Sequence, residues 1–145
     1  MPPIGSLVQH YEIGARLGSD GMGDVYRARD TRLGRAVALK FIDPAHDRDP
    51  DRRERLLKEA QAAAMLRSPA VATTYDIGEE DGTLFIVMEL VEGETLADRL
   101  QRGPLSVRQA LGMTLQVADA LDEAHGLGII HRDIKAANLV IDDQG

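Results

Sequence analysis

A dense run of polar side chains follows two isoleucines near the end of the sequence. Within this run, Asp133 could accept a proton from an attacking hydroxyl group, and Lys135 could neutralise a phosphoryl group during its transfer. Asn138 could bind a metal ion through its amide oxygen. We interpret His131 as a hydrogen-bonded structural residue rather than as a base or metal ligand. The spacing disfavours a plain charged surface loop for the run His131-Arg132-Asp133-Ile134-Lys135-Ala136-Ala137-Asn138.

Three glycines within six positions form a second candidate site. Glycine lets backbone N–H groups approach phosphate oxygens without a Cβ atom in the way, although a plain hairpin turn is an alternative. No Gly-Lys-Ser/Thr sequence follows for a P-loop, and the cluster joins a strand to a strand, whereas the dinucleotide-binding fingerprint joins a strand to a helix. Both of these phosphate motifs are therefore excluded for the cluster Gly18-Ser19-Asp20-Gly21-Met22-Gly23.

Lys40 lies inside an apolar strand, where an ammonium group is costly unless it meets an anion. It is either an edge-strand lysine whose head group reaches water or a group that is oriented towards a phosphate. Glu59 lies on the following helix in an alanine-rich stretch and could form an ion pair with Lys40 across the helix–strand contact. The alternative for Glu59 is a solvated surface position.

Alternating apolar and polar residues predict the strands that position these side chains. The first three form an antiparallel meander with glycine-containing turns, and two more follow the first helix. The predicted strands cover residues 11–18, 24–30, 36–42, 71–77 and 84–90, with an acidic turn over 78–82.

Helical spacing and capping residues predict three helices. The first opens at Asp49-Pro50 and stops at Ser68-Pro69, and the short second helix covers residues 95–101. Ser106 and Gln109 form a capping box at the start of the third. The third helix ends at Gly126 and Gly128, and its apolar stripe contains Leu111, Leu115, Ala118, Leu121 and His125.

A change from strands to helices predicts two parts of the chain. We interpret Glu92-Gly93-Glu94 as a hinge-like link between them. Residues 139–141 read as a short strand that leads into a turn over 142–145. The two parts also differ in charge, because residues 1–70 carry 12 basic and 10 acidic side chains, whereas residues 71–145 carry 5 and 14.

Composition narrows the class of protein. The 145 residues are 43% apolar and 28% charged, which is typical of a folded globular domain and excludes disorder and a membrane span within the sequence. The net charge of -7 argues against non-specific nucleic-acid binding. Cysteine is absent, which excludes disulfides, thiolate nucleophiles and sulfur-based zinc sites. Together with the lack of a secretory signal over residues 1–12, this predicts a cytoplasmic location, with a membrane tether beyond residue 145 left open.

Three of these features, in this order, resemble the motifs of the serine/threonine protein kinases, the bacterial eukaryotic-like branch in particular. Residues 17–26, Leu-Gly-Ser-Asp-Gly-Met-Gly-Asp-Val-Tyr, resemble the glycine-rich loop of that family, and residues 37–40, Val-Ala-Leu-Lys, resemble its third-strand lysine motif. Residues 131–138 match its catalytic-loop pattern, His-Arg-Asp followed by four residues and Asn. The resemblance runs from about Tyr11 to Gly145.

The resemblance implies a catalytic role for each matching polar residue. Lys40, paired with Glu59, would position the phosphates of ATP. Asp133 would orient or deprotonate the acceptor hydroxyl, Lys135 would stabilise charge, and Asn138 would bind Mg²⁺. A lysine two positions after the aspartate is similar to the serine/threonine class, so the implied acceptors are Ser and Thr hydroxyls of protein substrates.

The resemblance also implies an adenine site. Val25 and Ala38 would sandwich the adenine ring, Met88 would be the gatekeeper, and the backbone of Glu89 and Val91 would hydrogen-bond the edge of the ring. The implied ATP-binding set is Leu17, Gly18, Ser19, Asp20, Gly21, Met22, Gly23, Val25, Ala38, Lys40, Met88, Glu89 and Val91.

The sequence departs from the family pattern at Asp20, which stands where the middle glycine of the loop is expected. Two unit charges about 4 Å apart at an effective dielectric constant near 20 repel by roughly 4 kcal/mol, so a carboxylate there is expected to weaken ATP binding. Ala136 replaces a common proline. The Asp-Phe-Gly motif of the family would lie beyond Gly145, so we interpret the sequence as a kinase domain truncated before that motif. We expect negligible phosphorylation of protein substrates by these 145 residues alone, and an apolar stripe without partners on the third helix.

We therefore predict an α+β, protein-kinase-like fold with a nucleotide cleft between two lobes. Residues 1–10 are an N-terminal extension, residues 11–91 an N-lobe with a five-stranded antiparallel sheet and helix C, and residues 92–145 the first part of a helical C-lobe. The predicted function is ATP-dependent phosphoryl transfer to protein hydroxyls. The alternative is a non-catalytic kinase-like module that binds nucleotide or a partner. A dinucleotide-dependent oxidoreductase is disfavoured because no helix follows the glycine cluster.

Overall fold

The computed structural model describes residues 2–20, 23–43, 50–128 and 139–142. The description excludes the side chains of Asp20, Arg52, Leu56, Glu59, Ala63 and Asp142. The chain divides into two compact units: the first comprises Met1–Met65 and Thr73–Leu90, and the second comprises Leu66–Ala72 and Val91–Gly145. In the described part of the chain, each unit contains one antiparallel β-sheet.

The sheet of the first unit has six strands in the order β1-β2-β3-β4-β6-β5, and every neighbouring pair is antiparallel. Among the described residues of this unit there is one helix, α1 (Pro50–Ala63). This arrangement confirms the predicted α+β class and the antiparallel sheet. The strands are β1 (Leu7–Val8), β2 (Tyr11–Asp20), β3 (Gly23–Asp30), β4 (Arg35–Ile42), β5 (Thr74–Glu80) and β6 (Thr83–Glu89).

The sheet has one strand more than the five predicted, because the segment before Tyr11 adds β1. Val8 pairs with Tyr11 in the ladder, and the N–H of Ile13 donates to the carbonyl oxygen of Ser6 at 2.9 Å. The side chain of Val8 is buried. Two residues are too few for an alternating pattern to be recognised in the sequence, which explains the difference.

The hydrophobic core of the first unit lies against one face of the sheet. On the central strands β4 and β6, the largest fully buried side chains of this core are those of Leu39 and Phe85. The ring of Tyr11 on β2 meets the ring of Phe85 edge to face, with 6.3 Å between centroids. Because β3 and β4 separate β2 from β6 in the sheet, this contact shows that the sheet curls around its core. The cluster contains Val8, Tyr11, Ile13, Tyr26, Ala28, Val37, Leu39, Phe85 and Val87, with Phe41 packed against it.

The hairpin between β5 and β6 is tighter than predicted. Its turn consists of Asp81 and Gly82, which have φ angles of 50° and 79°. Two consecutive residues with positive φ are typical of the type I′ turn that joins twisted strands. Gly78, expected in the turn, instead lies within β5 opposite Phe85. The predicted strands over 71–77 and 84–90 are therefore displaced, because the acidic residues before Asp81 extend the ladder.

Helix α1 begins at Pro50, as predicted, and ends at Ala63, five residues before the predicted stop at Ser68. Proline is favoured in the first turn because its missing N–H needs no partner there. The helix contacts β5, and its Arg53 forms an ion pair with Glu79 on that strand. The capping residue expected at Asp49 lies outside the described residues.

In the second unit, residues 66–72, 91–128 and 139–142 are described, and they form a small sheet and two helices. Strand β7 (Gly93–Thr95) pairs with β8 (Val140–Asp142), and α2 (Leu96–Leu100) follows β7 directly. In the link predicted at Glu92-Gly93-Glu94, the last two residues belong to this hydrogen-bonded strand. Thr95 caps α2 by accepting from the N–H of Asp98 at 3.1 Å.

Helix α3 (Val107–Gly126) confirms the predicted capping box. The hydroxyl of Ser106 accepts from the N–H of Gln109 at 3.1 Å, and the side chain of Gln109 accepts from the N–H of Ser106 at 3.1 Å. On the predicted apolar stripe, Leu111 and Leu115 are 65% and 64% exposed. No helix among the described residues is long and apolar enough to cross a membrane.

Candidate functional site

Four predicted site residues lie at adjoining positions of the sheet of the first unit. In the ladder, Val25 on β3 is opposite Lys40 on β4, and Ala38 on β4 is opposite Met88 on β6. Side chains at opposed positions, and at alternate positions along one strand, share a face of a sheet. Val25, Ala38, Lys40 and Met88 therefore share one face, which is the face opposite the hydrophobic core.

Lys40 lies in the interior of the sheet. Strand β4 has partners on both sides, and Lys40 pairs with Val25 on one side and with Ile86 on the other. The edge-strand interpretation of this lysine is therefore wrong. Its side chain is half-buried next to Ala38, which is only 5% exposed.

The glycine cluster joins β2 to β3, so it connects strand to strand as predicted. Gly23 lies directly against β4: a Cβ atom on Gly23 would clash with the carbonyl oxygen of Phe41. Gly18 differs, because a Cβ atom there would meet no atom of the described residues within 4 Å. Packing thus explains the glycine at position 23 but gives no reason for the glycine at position 18. Leu17, next to it, is 51% exposed.

An ion pair joins the two strands of this hairpin. The guanidinium of Arg16 on β2 donates to the carboxylate of Asp24 on β3 at 2.8 Å. This hydrogen bond and the attraction between the two charges raise the pKa of Arg16. The sequence analysis missed this pair, since nothing in the residue pattern marks two polar positions eight apart as partners.

Hydrogen bonds to Thr73 hold the last residue of β6, Glu89. The N–H of Glu89 donates to the carbonyl oxygen of Thr73 at 2.7 Å, and the carboxylate of Glu89 accepts from the N–H of Thr73 at 3.1 Å. Glu89 thus bonds both backbone groups of Thr73, just before β5. These two hydrogen bonds hold the end of β6, the place where backbone groups are predicted to bind adenine.

Asp30 organises the turn between β3 and β4. It is 4% exposed, and its carboxylate accepts from the N–H groups of Leu33 and Arg32 at 3.0 and 2.9 Å. These bonds, the one from Leu33 first, together with the nearby charges of His10 and Arg35, lower the pKa of Asp30. An aspartate that begins a turn ending in Gly34 is a recognisable sequence signal for this arrangement.

The structure does not describe several of the predicted site residues, or describes only their backbone. The catalytic-loop residues His131, Asp133, Lys135 and Asn138 lie outside the described residues, as do Gly21 and Met22. The backbones of Asp20 and Glu59 are described, in β2 and α1, but their side chains are not. Ser19 is exposed on β2 opposite Asp24, and Val91 belongs to the second unit.

Residues 11–145 match the protein kinase domain family. A probable serine/threonine-protein kinase of Streptomyces coelicolor is 45% identical over 140 residues, which cover 93% of this chain and 21% of that protein. The serine/threonine-protein kinase PknA of Mycobacterium tuberculosis is 42% identical over 151 residues, which cover 99% of this chain and 35% of that protein. The chain thus spans between a fifth and about a third of the length of these relatives.

Solved structures agree with the sequence relatives. The crystal structure of the PknI kinase domain of Mycobacterium tuberculosis superposes with a TM-score of 0.86 at 34% identity, covering 99% of this chain and 59% of that one. A cysteine-to-alanine variant of the same domain gives a TM-score of 0.87 at 33% identity over 98% of this chain and 59% of that one. The glycine cluster joins two strands, and the matches are to kinase domains. Both findings argue against the third alternative, a dinucleotide-dependent oxidoreductase. The chain belongs to the protein kinase family, and the curated relatives described above are bacterial serine/threonine-protein kinases.

Proposed function

We propose that this chain binds ATP on the sheet of its first unit and is part of a serine/threonine protein kinase, which transfers the γ-phosphoryl group to a protein hydroxyl. One observation carries the proposal: the face that holds Val25, Ala38, Lys40 and Met88 continues into the glycine hairpin. An apolar surface and a cation beside exposed backbone suit a nucleotide, which has a flat apolar base and a polyanionic tail.

Each part of the nucleotide has a counterpart on this face. Val25 and Ala38 form the apolar surface for adenine, and Met88 limits the depth of the base. Lys40 meets the phosphates, and Glu59 on α1 holds its ammonium group in place. Among the described residues, nothing fills the space at Gly18 that a ligand needs to approach the backbone of the hairpin.

The catalytic loop supplies the residues that act on the acceptor. The hydroxyl oxygen of the substrate attacks the γ-phosphorus and its proton passes to Asp133, while the bond from that phosphorus to the β–γ bridging oxygen breaks and ADP leaves. Lys135 stabilises the charge of the phosphoryl group. The amide oxygen of Asn138 is a ligand of the type that Mg²⁺ prefers; this residue would hold the ion, which would neutralise charge on the phosphates.

The acidic surplus in the second half of the sequence indicates which protein substrates the kinase would bind. Residues 71–145 carry 14 acidic and 5 basic side chains, so we infer that the protein substrates present Ser or Thr among basic residues. The same acidic surplus disfavours nucleic acid as a partner. A sequence without cysteine fits a reducing compartment, from which we infer a cytoplasmic location.

A second candidate function rests on Asp20. A carboxylate in place of the middle glycine favours a kinase-like module that binds nucleotide weakly, or binds a partner, without transfer. Asp20→Gly tests the repulsion on which this candidate rests. If this charge limits ATP affinity, the variant gains affinity, whereas unchanged affinity removes the repulsion argument and with it the support for the second candidate.

Nucleotide binding by the purified chain is the direct test. We expect Mg²⁺–ATP to bind with a micromolar to millimolar Kd and Lys40→Met to weaken binding at least tenfold. Lys58→Met is the matched control, because Lys58 is an exposed lysine of α1 that pairs with Glu54 at 3.5 Å. Equal affinities of Lys40→Met and the unsubstituted chain would contradict the site. Transfer to a basic protein substrate is then measured in the full-length natural protein, where Asp133→Asn should abolish it.

A further inference from the structure

The Arg16–Asp24 ion pair lies where the ladder between β2 and β3 is irregular. Ile13 pairs with Ala28, Arg16 with Tyr26, and Gly18 with Val25, so the register shifts on both sides of Arg16. Such β-bulges leave residues without ladder partners and increase the local twist. The backbone alone therefore joins the two strands weakly at this point.

The two strands of the hairpin are not held equally. On β3, Gly23 pairs with Ile42 and Asp24 with Phe41, so this strand is fixed to β4 up to its first residue. On β2, the ladder with β1 involves only Tyr11 and Glu12. Within the described residues, the part of β2 after Ile13 thus has β3 as its only strand partner. The Arg16–Asp24 pair joins this loosely held strand to the strand that is fixed.

The pair acts from the side of the sheet away from the proposed nucleotide. Arg16 is opposite Tyr26, whose side chain belongs to the hydrophobic core cluster, whereas Gly18 is opposite Val25 on the other face. Arg16 is 53% exposed and Asp24 16% exposed, so one partner is fixed by its surroundings and the other reaches over to it. Neither side chain is placed to touch a ligand next to Val25.

We propose that the Arg16–Asp24 pair restrains the opening of the glycine hairpin and thereby sets the affinity for ATP, which makes Arg16 a positioning residue. This inference rests on the proposed function. If the pair breaks, the Gly18 end of β2 moves away from β3 more often, and the backbone groups that face the phosphates are correctly placed for a smaller fraction of the time. The fraction lost appears as weaker binding, since apparent affinity scales with the population of the competent state.

The test compares Arg16→Met, Asp24→Asn, the double variant, and the exchanged pair Arg16→Asp/Asp24→Arg. Amide hydrogen exchange over residues 17–23 reports hairpin opening without nucleotide, and titration with Mg²⁺–ATP reports affinity. Exposed ion pairs are weak, so we expect exchange to quicken and Kd to rise by about two- to fivefold in each single variant. The double variant should be no worse than the singles, and the exchanged pair should recover part of the loss. In the full-length natural protein, KM for ATP should rise while kcat stays unchanged.

Lys58→Met is again the control, because it breaks the Lys58–Glu54 pair on α1 and should leave hairpin exchange unchanged. Unchanged exchange in Arg16→Met would overturn the inference, and so would faster exchange with unchanged ATP affinity. Fully additive effects of the two single substitutions would overturn it as well. Failure of the unsubstituted chain to bind ATP would contradict the proposed function instead, and the exchange data, which need no nucleotide, would still decide whether the pair restrains the hairpin.

Discussion

The carbonyl oxygen of Phe41 occupies the space that a side chain on Gly23 would need. The first residue of β3 therefore packs against the backbone of β4 with no room for a single methyl group. At Gly18, five residues earlier in the same hairpin, no atom from the part of the chain that the structure describes takes up that space. The fold therefore requires the glycine at position 23, whereas the glycine at position 18 is explained only by the nucleotide site that we propose.

Alanine substitutions separate these reasons. Gly23→Ala should lower the free energy of unfolding by about 1–3 kcal/mol, because the added methyl group must displace the backbone of β4. Gly18→Ala should change it by less than about 0.5 kcal/mol and should weaken Mg²⁺–ATP binding instead. Chemical denaturation and nucleotide titration of both variants check this. Equal stability of the two variants would contradict the packing argument.

Phe85 should be among the residues of the first unit that are most sensitive to truncation. Its ring is buried against Tyr11 and Phe41, at centroid distances of 6.3 and 5.9 Å, and it covers Gly78. Phe85→Ala should cost about 3–5 kcal/mol, since it removes a large apolar side chain and leaves a cavity. Leu33→Ala, at a position 66% exposed, should cost less than about 0.5 kcal/mol. Thermal unfolding of the pair measures both, and similar costs would argue against a core centred on Phe85.

Glu89 should hold the start of β5 through its acceptor oxygen rather than through its charge. Glu89→Ala removes the acceptor of the Thr73 N–H, so the Thr73 amide should exchange with solvent several-fold faster. Glu89→Gln keeps an acceptor oxygen in the same place and should preserve most of the protection. Amide exchange resolved at Thr73 is the measurement. Equal loss in both variants would show that the charge matters instead.

Asp30 should stabilise the folded first unit at neutral pH, and acid should remove this stabilisation. Its pKa is lowered in the folded chain, so the folded state binds fewer protons than the unfolded state between the two pKa values. The stabilisation is complete above the ordinary carboxyl pKa of about 3.9 and is lost as pH falls through the lower, folded value. Asp30→Asn should therefore melt below the unsubstituted chain at pH 7, and the difference should shrink below about pH 4. A difference that is constant from pH 7 to pH 3 would contradict this assignment.

Local rules predicted the elements that follow them. Pro50 begins α1, Ser106 and Gln109 cap α3, and the alternation along β3 matches its buried and exposed positions. Each depends on residues a few positions apart, whose interactions are set by helix or strand geometry. The register of the ladder places four site residues on one face of the sheet: Val25, Ala38, Lys40 and Met88. This register cannot be read from the sequence. The family resemblance identified these residues without showing that they share a face.

The missed features depend on residues that are distant in sequence or on short elements. The pairing of Glu89 with Thr73 needs β6 to lie beside the start of β5, and the interior position of Lys40 needs β6 to pair with β4. Strand β1 is too short to show a period. The turn predicted over 78–82 contains Asp81 and Gly82 but is too long, because polar residues of β5 resemble turn residues. Acidic side chains on an exposed strand look the same in sequence as those in a loop.

Strand β1 also bears on how the protein should be produced. Similarity to the protein kinase domain begins at Tyr11, which invites expression from that residue. Such a polypeptide would lack Val8, which is part of the hydrophobic core, and Ser6, whose carbonyl oxygen accepts from Ile13. It would also begin with a charged amino group at a buried tyrosine. Recombinant versions should therefore start at or before Pro2, and purification tags should be separated from Gly5 by a flexible spacer.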